Sequence, residues 1–153
     1  MKPTISIITV CYNSIETIKR TIKSVEEQDY LNIEYIIKDG GSVDGTVELI
    51  ENLDNDNWRI VSDQDNGIYD AMNIGAEMAS GDYLYFLNSD DFLYSHTVIS
   101  DVVNSLSKNL VDCIFGNIYY FKSDPSIVSR EWISSTYKRG SFATGWHPPH
   151  PAF

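Results

Sequence analysis

Four times before Ser107, a short apolar run breaks off in polar residues and gives way to apolar spacing of helical period. Thr4 to Val10 (TISIITV) is β-branched and apolar, the composition of a buried strand, and Ile15, Ile18, Ile22 and Val25 then fall on one helical face. Ile33 to Lys38 is followed by Val43, Val47 and Ile50, and Trp58 to Val61 by Ile68, Met72, Ala76 and Ala79. Asp82 to Leu87 is followed by Val98, Ile99, Val102, Val103 and Leu106. Strands alternating with helices predict an α/β fold, a Rossmann-like, mainly parallel sheet flanked by helices with right-handed crossovers. The run from Asp82 to Leu87 reads as a strand buried on both faces, although a buried helix would show the same pattern. Asn13 with Glu16 three residues on reads as the cap of the first helix.

The pattern changes after Asp112. Cys113 to Phe121 and Ile127 to Ile133 read as strands joined by a turn over Lys122 to Ser126, which predicts an added antiparallel hairpin. Gly140 to Phe153 is rich in Gly, Pro and aromatic residues and shows no period. The chain stops at Pro151-Ala152-Phe153 with no polar ending, which reads as the truncation of a longer protein.

In a doubly wound sheet the strand C-terminal ends lie side by side and line the ligand crevice. Four polar clusters stand at such ends: Thr9 to Asn13, Asp39 to Thr46 (DGGSVDGT), Asp65 to Gly75 (DNGIYDAMNIG) and Asn88 to Asp91 (NSDD). Asp39 could accept hydrogen bonds from a base or ribose, or it could begin a turn into a helix capped by Ser42 or Asp44. Asp70 and Asn73, three apart, share a helical face. Two adjacent acids, Asp90 and Asp91, repel each other and call for a cation; hard divalent ions take such oxygen ligands and also bind substrate phosphates. Ser and Asp equally make caps and turns, so SDD alone leaves both readings open.

Composition bears on partners and place. A chain of 153 residues suits one domain. Its net charge of -11 argues against nucleic acid or an anionic membrane as a partner, and an anionic ligand here needs local cationic help. No stretch approaches the ~20 apolar residues of a membrane span, and a strand-like run follows Lys2 at once where a signal peptide would lie. Cys11 and Cys113 fall in strand-like segments and read as small buried hydrophobes of a reducing compartment, the cytoplasm.

The order of TVCYN, DGGSVDGT, DNGIYDAMNIG and ASGDYLYFLNSDD resembles the family 2 glycosyltransferases, inverting enzymes of GT-A fold, over Lys2 to about Phe92. GIYDAMNIG and the HPAF tail resemble the bacterial polysaccharide branch of that family. The resemblance implies one GT-A-type domain over 1–153, with a nucleotide-sugar-binding half at 1–93 and the start of an acceptor-side half at 94–153. It implies that Thr9, Cys11, Tyr12 and Asn13 pack around the nucleotide, that Asp39 with Gly40 reads the base, and that Asp70 and Asn73 line the diphosphate and donor sugar. Asn88-Ser89-Asp90 matches the family's Asp-x-Asp motif, with Asn88 and Ser89 on the donor, Asp90 as the metal ligand and Asp91 as a second. The implied cofactor is Mn2+ or Mg2+. The implied partners are a UDP- or GDP-linked sugar and a glycan or lipid-linked acceptor, which would place the enzyme at the inner face of the cell membrane; pairing with a second chain stays open.

The chain departs from the family pattern. Gly40 replaces a second acid, Asn88 replaces the first acid of Asp-x-Asp, and Met72 replaces an Arg, which leaves the metal more of the phosphate charge to neutralise. The general base of the family lies C-terminal to HPAF, so it is expected beyond Phe153. His147 and His150 flank two prolines that prevent a helix from aligning them as a metal pair. The competing class is a non-catalytic nucleotide- or carbohydrate-binding module of the same fold. A nucleotidyltransferase would carry a Gly-rich, basic first loop where YNSIET stands, and a nicotinamide dehydrogenase would carry G-x-G-x-x-G after the first strand.

Overall fold

The strand marked first by the sequence is the centre of the sheet. In the computed structural model, which describes residues 2–53, 58–108, 111–122, 127–149 and 151, β1 (Ile5–Cys11) is buried at every residue. It pairs in parallel with β2 (Ile33–Asp39) on one side and β4 (Tyr83–Phe86) on the other, and β3 (Trp58–Ser62) pairs in parallel with β2. The sheet order is β3-β2-β1-β4. Between the strands run α1 (Ile18–Glu26), α2 (Thr46–Glu51) and α3 (Ile68–Met78), and α4 (Val98–Lys108) follows β4. These elements belong to one compact unit, Met1–Asn109; the rest, Leu110–Phe153, forms a second.

Ile7, Ile8, Ile36 and Ile37 are fully buried, each such side chain contributing roughly 1.5–3 kcal/mol by leaving water. Ile8, Val10 and Ile36 pack with Ala71 and Met72 of α3. Gly75 permits that approach, since a Cβ there would stand 2.5 Å from Cγ2 of Ile8. Of the expected face of α3, Met72 is buried and Ala76 and Ala79 pack against the same cluster, Ala79 from just past the helix end; Ile68 is half exposed, and Ala71 and Gly75 join the face instead.

Other expectations are also corrected. β4 is not buried on both faces. Among the described residues it pairs only with β1, and Leu84 is exposed. α1 begins at Ile18 behind Thr17, so Asn13 is not its cap and Ile15 precedes it. The Ser14 carbonyl accepts the N–H groups of Thr17 and Ile18 instead.

In the second unit, β5 (Ile118–Phe121) and β6 (Val128–Trp132) form the antiparallel hairpin, both shorter than expected. The expected turn lies largely outside the described residues. Cys113 precedes β5 and is exposed, unlike the buried Cys11. Trp146 sits in an aromatic cluster with Phe115, Tyr137 and Phe142, and its indole N–H donates to Ser135 Oγ at 2.6 Å. His147 stacks edgewise on Trp132; His150 lies outside the described residues. No helix among the described residues is long and apolar enough to cross a membrane.

Candidate functional site

Sheet register brings the polar clusters together. Cys11 pairs with Asp39 and Asp39 with Ser62, so β1, β2 and β3 end in one row. On the other side of β1, Phe86 pairs with Ile8, and the Leu87 N–H donates to the Ile8 carbonyl at 2.9 Å, carrying the chain to Asn88 beside the same row. Over this end lies an open cavity of about 1070 Å³.

One wall is two interlocked loops. Asn13 adopts a left-handed backbone, φ 49°. Its N–H donates to Ser42 Oγ at 2.7 Å, and its Oδ1 accepts the Val43 N–H at 3.0 Å. The Ser14 N–H donates to Thr46 Oγ1 at 2.8 Å, and the Ile15 N–H to Asp44 Oδ2 at 3.1 Å. Asn13 therefore builds the wall with its amide oxygen, while the Tyr12 ring stands 64% exposed at the cavity.

Asp39 lies beneath that wall with no exposed surface. Its Oδ2 accepts the N–H groups of Gly41 and Ser42, each at 2.9 Å, and the Ser62 hydroxyl at 2.7 Å; its Oδ1 accepts the Ser42 hydroxyl. Burial pushes the carboxyl pKa up, but the Ser42, Ser62 and Gly41 donors outweigh it and hold the group below the usual value. Cys11 Sγ lies 3.6 Å from Asp39 Oδ1. Burial, then the Asp39 charge, pushes this thiol above its ordinary range.

The floor rests on Lys38, a buried cation that the sequence reading passed over. Its Nζ donates to the carbonyls of Asp39 at 2.5 Å and Asp63 at 2.6 Å, and to Asp65 Oδ2 at 3.1 Å. One ammonium thus ties the exits of β2 and β3 to the start of α3. Asp65 Oδ1 in turn accepts the Gly67 N–H at 2.9 Å. Gly40 lies against this pair: a Cβ there would meet Asp65 Oδ2 at 2.9 Å.

The opposite wall is Asn88 to Asp91. Asn88 Oδ1 is buried and accepts no hydrogen bond from the described residues, an arrangement that is rare without a ligand or water. Ser89 Oγ shares a 2.9 Å hydrogen bond with Ser14 Oγ. Asp90 is exposed and lines the cavity; Asp91 closes a turn through its N–H to the Asn88 carbonyl at 3.0 Å.

Of the expected site residues, Cys11, Tyr12, Asn13, Gly40, Asn88, Ser89 and Asp90 line this cavity. Thr9, Asp39, Asp70, Asn73 and Asp91 are not in its lining. Thr9 is fully buried, its hydroxyl 3.0 Å from that of Tyr35. Asp70 accepts the Asn66 N–H and side-chain amide, each at 2.9 Å, which pins the start of α3 and holds its carboxyl below the ordinary value. Asn73 is exposed, not set among apolar side chains as its helical neighbours suggested. Ser14 and Gln64, outside the four polar clusters, also line the cavity, as do Gly41, Asp65 and Ile68 within them. Its lining carries Glu16, Asp44, Asp65 and Asp90 and, among the described residues, no Lys or Arg.

A parallel sheet with helices, a polar cavity across its strand ends and a separate hairpin is the GT-A architecture. The mannosyltransferase PcManGT from Pyrobaculum calidifontis, solved in complex with GDP-Man and Mn2+, shares it at a TM-score of 0.65 and 22% identity, over 80% of this chain and 36% of that one. The chain belongs to the glycosyl transferase family 2, whose sequence profile matches residues 6–152. It is 42% identical over 106 residues to an uncharacterized glycosyltransferase of Mycobacterium tuberculosis, covering 69% of this chain and 40% of the relative. It is 35% identical over 123 residues to the Escherichia coli UDP-Glc:alpha-D-GlcNAc-diphosphoundecaprenol beta-1,3-glucosyltransferase WfaP, covering 78% and 47%. The chain thus spans less than half the length of these curated relatives.

Proposed function

We propose that this chain carries the donor site of an inverting glycosyltransferase that moves a sugar from a UDP- or GDP-linked donor to a glycan or lipid-linked acceptor in polysaccharide biosynthesis. The observation that carries the proposal is the cavity itself: a family 2 fold opens, at its strand ends, a space lined by an exposed aromatic ring, tight glycine loops and Asn88, whose buried amide oxygen has no partner among the described residues. The named activity of the Escherichia coli relative and the GDP-Man complex of the archaeal enzyme support the substrate class.

In this proposal Tyr12 offers its ring to the base and Gly40 and Gly41 let the backbone approach it. Asp39 shapes that loop from below, because its carboxylate is already filled. Cys11, Thr9, Asp70 and Asn73 complete the surroundings of the proposed donor site. Asn88 Oδ1 accepts a donor hydroxyl, and Ser89 sits beside it.

A divalent cation fits the residues present. Among the described residues no three His, Cys, Asp or Glu side chains converge on one point. Mg2+, however, is commonly held by one or two carboxylates and completed by substrate phosphates. Asp90 supplies the exposed carboxylate and Asp91 the reserve. With Asp65 paired to Lys38, the lining still carries Glu16, Asp44 and Asp90 and, among the described residues, no Lys or Arg, which repels a free diphosphate. When bound, the ion offsets the charge that collects on the departing diphosphate. The chain's own task is to hold the donor across the strand ends with its phosphates at Asp90. The general base belongs to the part of the relatives' length that this chain does not span, and residues 94–153 begin the acceptor side.

Equilibrium titration with UDP and GDP in the presence of Mn2+ tests the substrate class. Saturable binding of one of the two, weakened at least ~10-fold in Tyr12→Ala by loss of a stacked ring, is expected. A folded chain that binds neither contradicts the proposal.

A further inference from the structure

From Asn88 to Thr97 the chain is irregular, so its backbone groups lack ladder partners and must find others. Three successive carbonyls, those of Ser89, Asp90 and Asp91, are taken by neighbouring residues at α1. The Thr21 hydroxyl lies 2.9 Å from the Ser89 carbonyl and 2.7 Å from that of Asp91. Its single proton is shared between the two. Arg20 Nη2 donates to the Asp90 carbonyl at 3.2 Å, and its guanidinium lies 4.6 Å from the centre of the Phe92 ring. Thr21 is fully buried, so water does not compete for the bond. The carbonyls on either side of Asp90 are thus gripped by one side chain, and Asp90 itself is exposed and lines the cavity.

We propose that Thr21, assisted by Arg20, is the positioning residue of the metal-binding loop. It touches neither donor nor ion. It fixes the backbone on both sides of Asp90, so that a carboxylate on an irregular loop is presented as rigidly as one on a helix. This rests on the assignment of Asp90 as the acid that holds the divalent ion. An outer partner that orients a metal ligand typically changes metal affinity ~10- to 100-fold when removed. A hydroxyl that merely satisfied two carbonyls would change stability alone.

The test measures Mn2+ affinity by the loss of the free Mn2+ paramagnetic resonance signal, with the full chain and saturating UDP or GDP. Thr21→Val keeps the shape and removes the hydroxyl, Thr21→Ser keeps the hydroxyl, and Asp90→Ala removes the ligand. Expected are loss of specific Mn2+ binding in Asp90→Ala, ~10-fold weaker binding in Thr21→Val and near wild-type affinity in Thr21→Ser. Arg20→Met, at an exposed position, shows a smaller loss of the same kind and does not depend on Thr21→Val folding. Unchanged affinity in Thr21→Val and Arg20→Met, or equal losses in the Val and Ser variants, overturns the role of Thr21 while Asp90→Ala still upholds the metal assignment. Retained binding in Asp90→Ala overturns both.

Discussion

Asp39 is the last residue of β2 and Asp90 follows the end of β4, on opposite sides of β1, yet the surroundings of these two acids differ in kind. Asp39 is fully buried and accepts hydrogen bonds from Gly41, Ser42 and Ser62. Asp90 is exposed and lines the cavity, with its backbone held by α1. A buried carboxylate surrounded by donors stabilises the fold. An exposed one on a braced backbone contributes little stability and remains available for a ligand. Position at a strand end is therefore not enough to name a ligand; the donors that already fill the carboxylate decide.

The sharpest break in the comparison comes from below Asp39. Lys38→Met removes the buried ammonium from Asp65 Oδ2 and from the carbonyls of Asp39 and Asp63, and should lower unfolding free energy by about 3–5 kcal/mol in urea denaturation. Asp39→Asn should cost about 2 kcal/mol, since hydrogen bonds to a charged acceptor are the stronger ones. Its pH dependence has a definite sign. The folded value is depressed, so the stabilisation is complete above the unfolded value of about 3.9 and is lost as pH falls through the lower folded value. The melting-temperature gap between wild type and Asp39→Asn should hold from neutral pH to about 5 and close below about 4.

Gly40→Ala should cost about 1–3 kcal/mol by overpacking. The added methyl meets an Asp65 carboxylate that Lys38 prevents from moving away. Asp90→Asn should change unfolding free energy by no more than about 0.5 kcal/mol, as for other surface positions. A large loss there would erase the contrast between the two acids.

The sheet was legible because each strand is a short apolar run and each intervening helix carries an apolar period, although Ile15 and Val43, expected in the first two helices, fall before α1 and α2 and are exposed. β1, β2, β3 and α4 fall within a residue or two of their expected places. β4 was misread because an apolar run does not reveal how many neighbours a strand has. The turn reading of Asp39 anticipated its filling by the nearby Gly41 and Ser42, whereas the Ser62 hydroxyl was hidden because it comes from another strand. Lys38 left a signal that went unused: a lysine inside an apolar strand needs a buried partner, and Asp65 is that partner. The grip of α1 on the last loop was also written in the chain. Thr21, Ser24 and Gln28 recur at helical spacing and bond the backbone of Ser89, Asp91, Leu93, Ser95 and Ile99. Such a stripe looks like a solvated face until the irregular segment it serves is known.

Calorimetric titration of UDP and GDP with and without Mn2+, on wild type, Asp90→Ala and Asp39→Asn, tests the division of labour most directly. The account predicts Mn2+-dependent binding that Asp90→Ala abolishes at unchanged stability, and that Asp39→Asn retains at a temperature where it is still folded. Binding that survives Asp90→Ala but vanishes in folded Asp39→Asn would contradict it, and would make Asp39 the residue that meets the ligand.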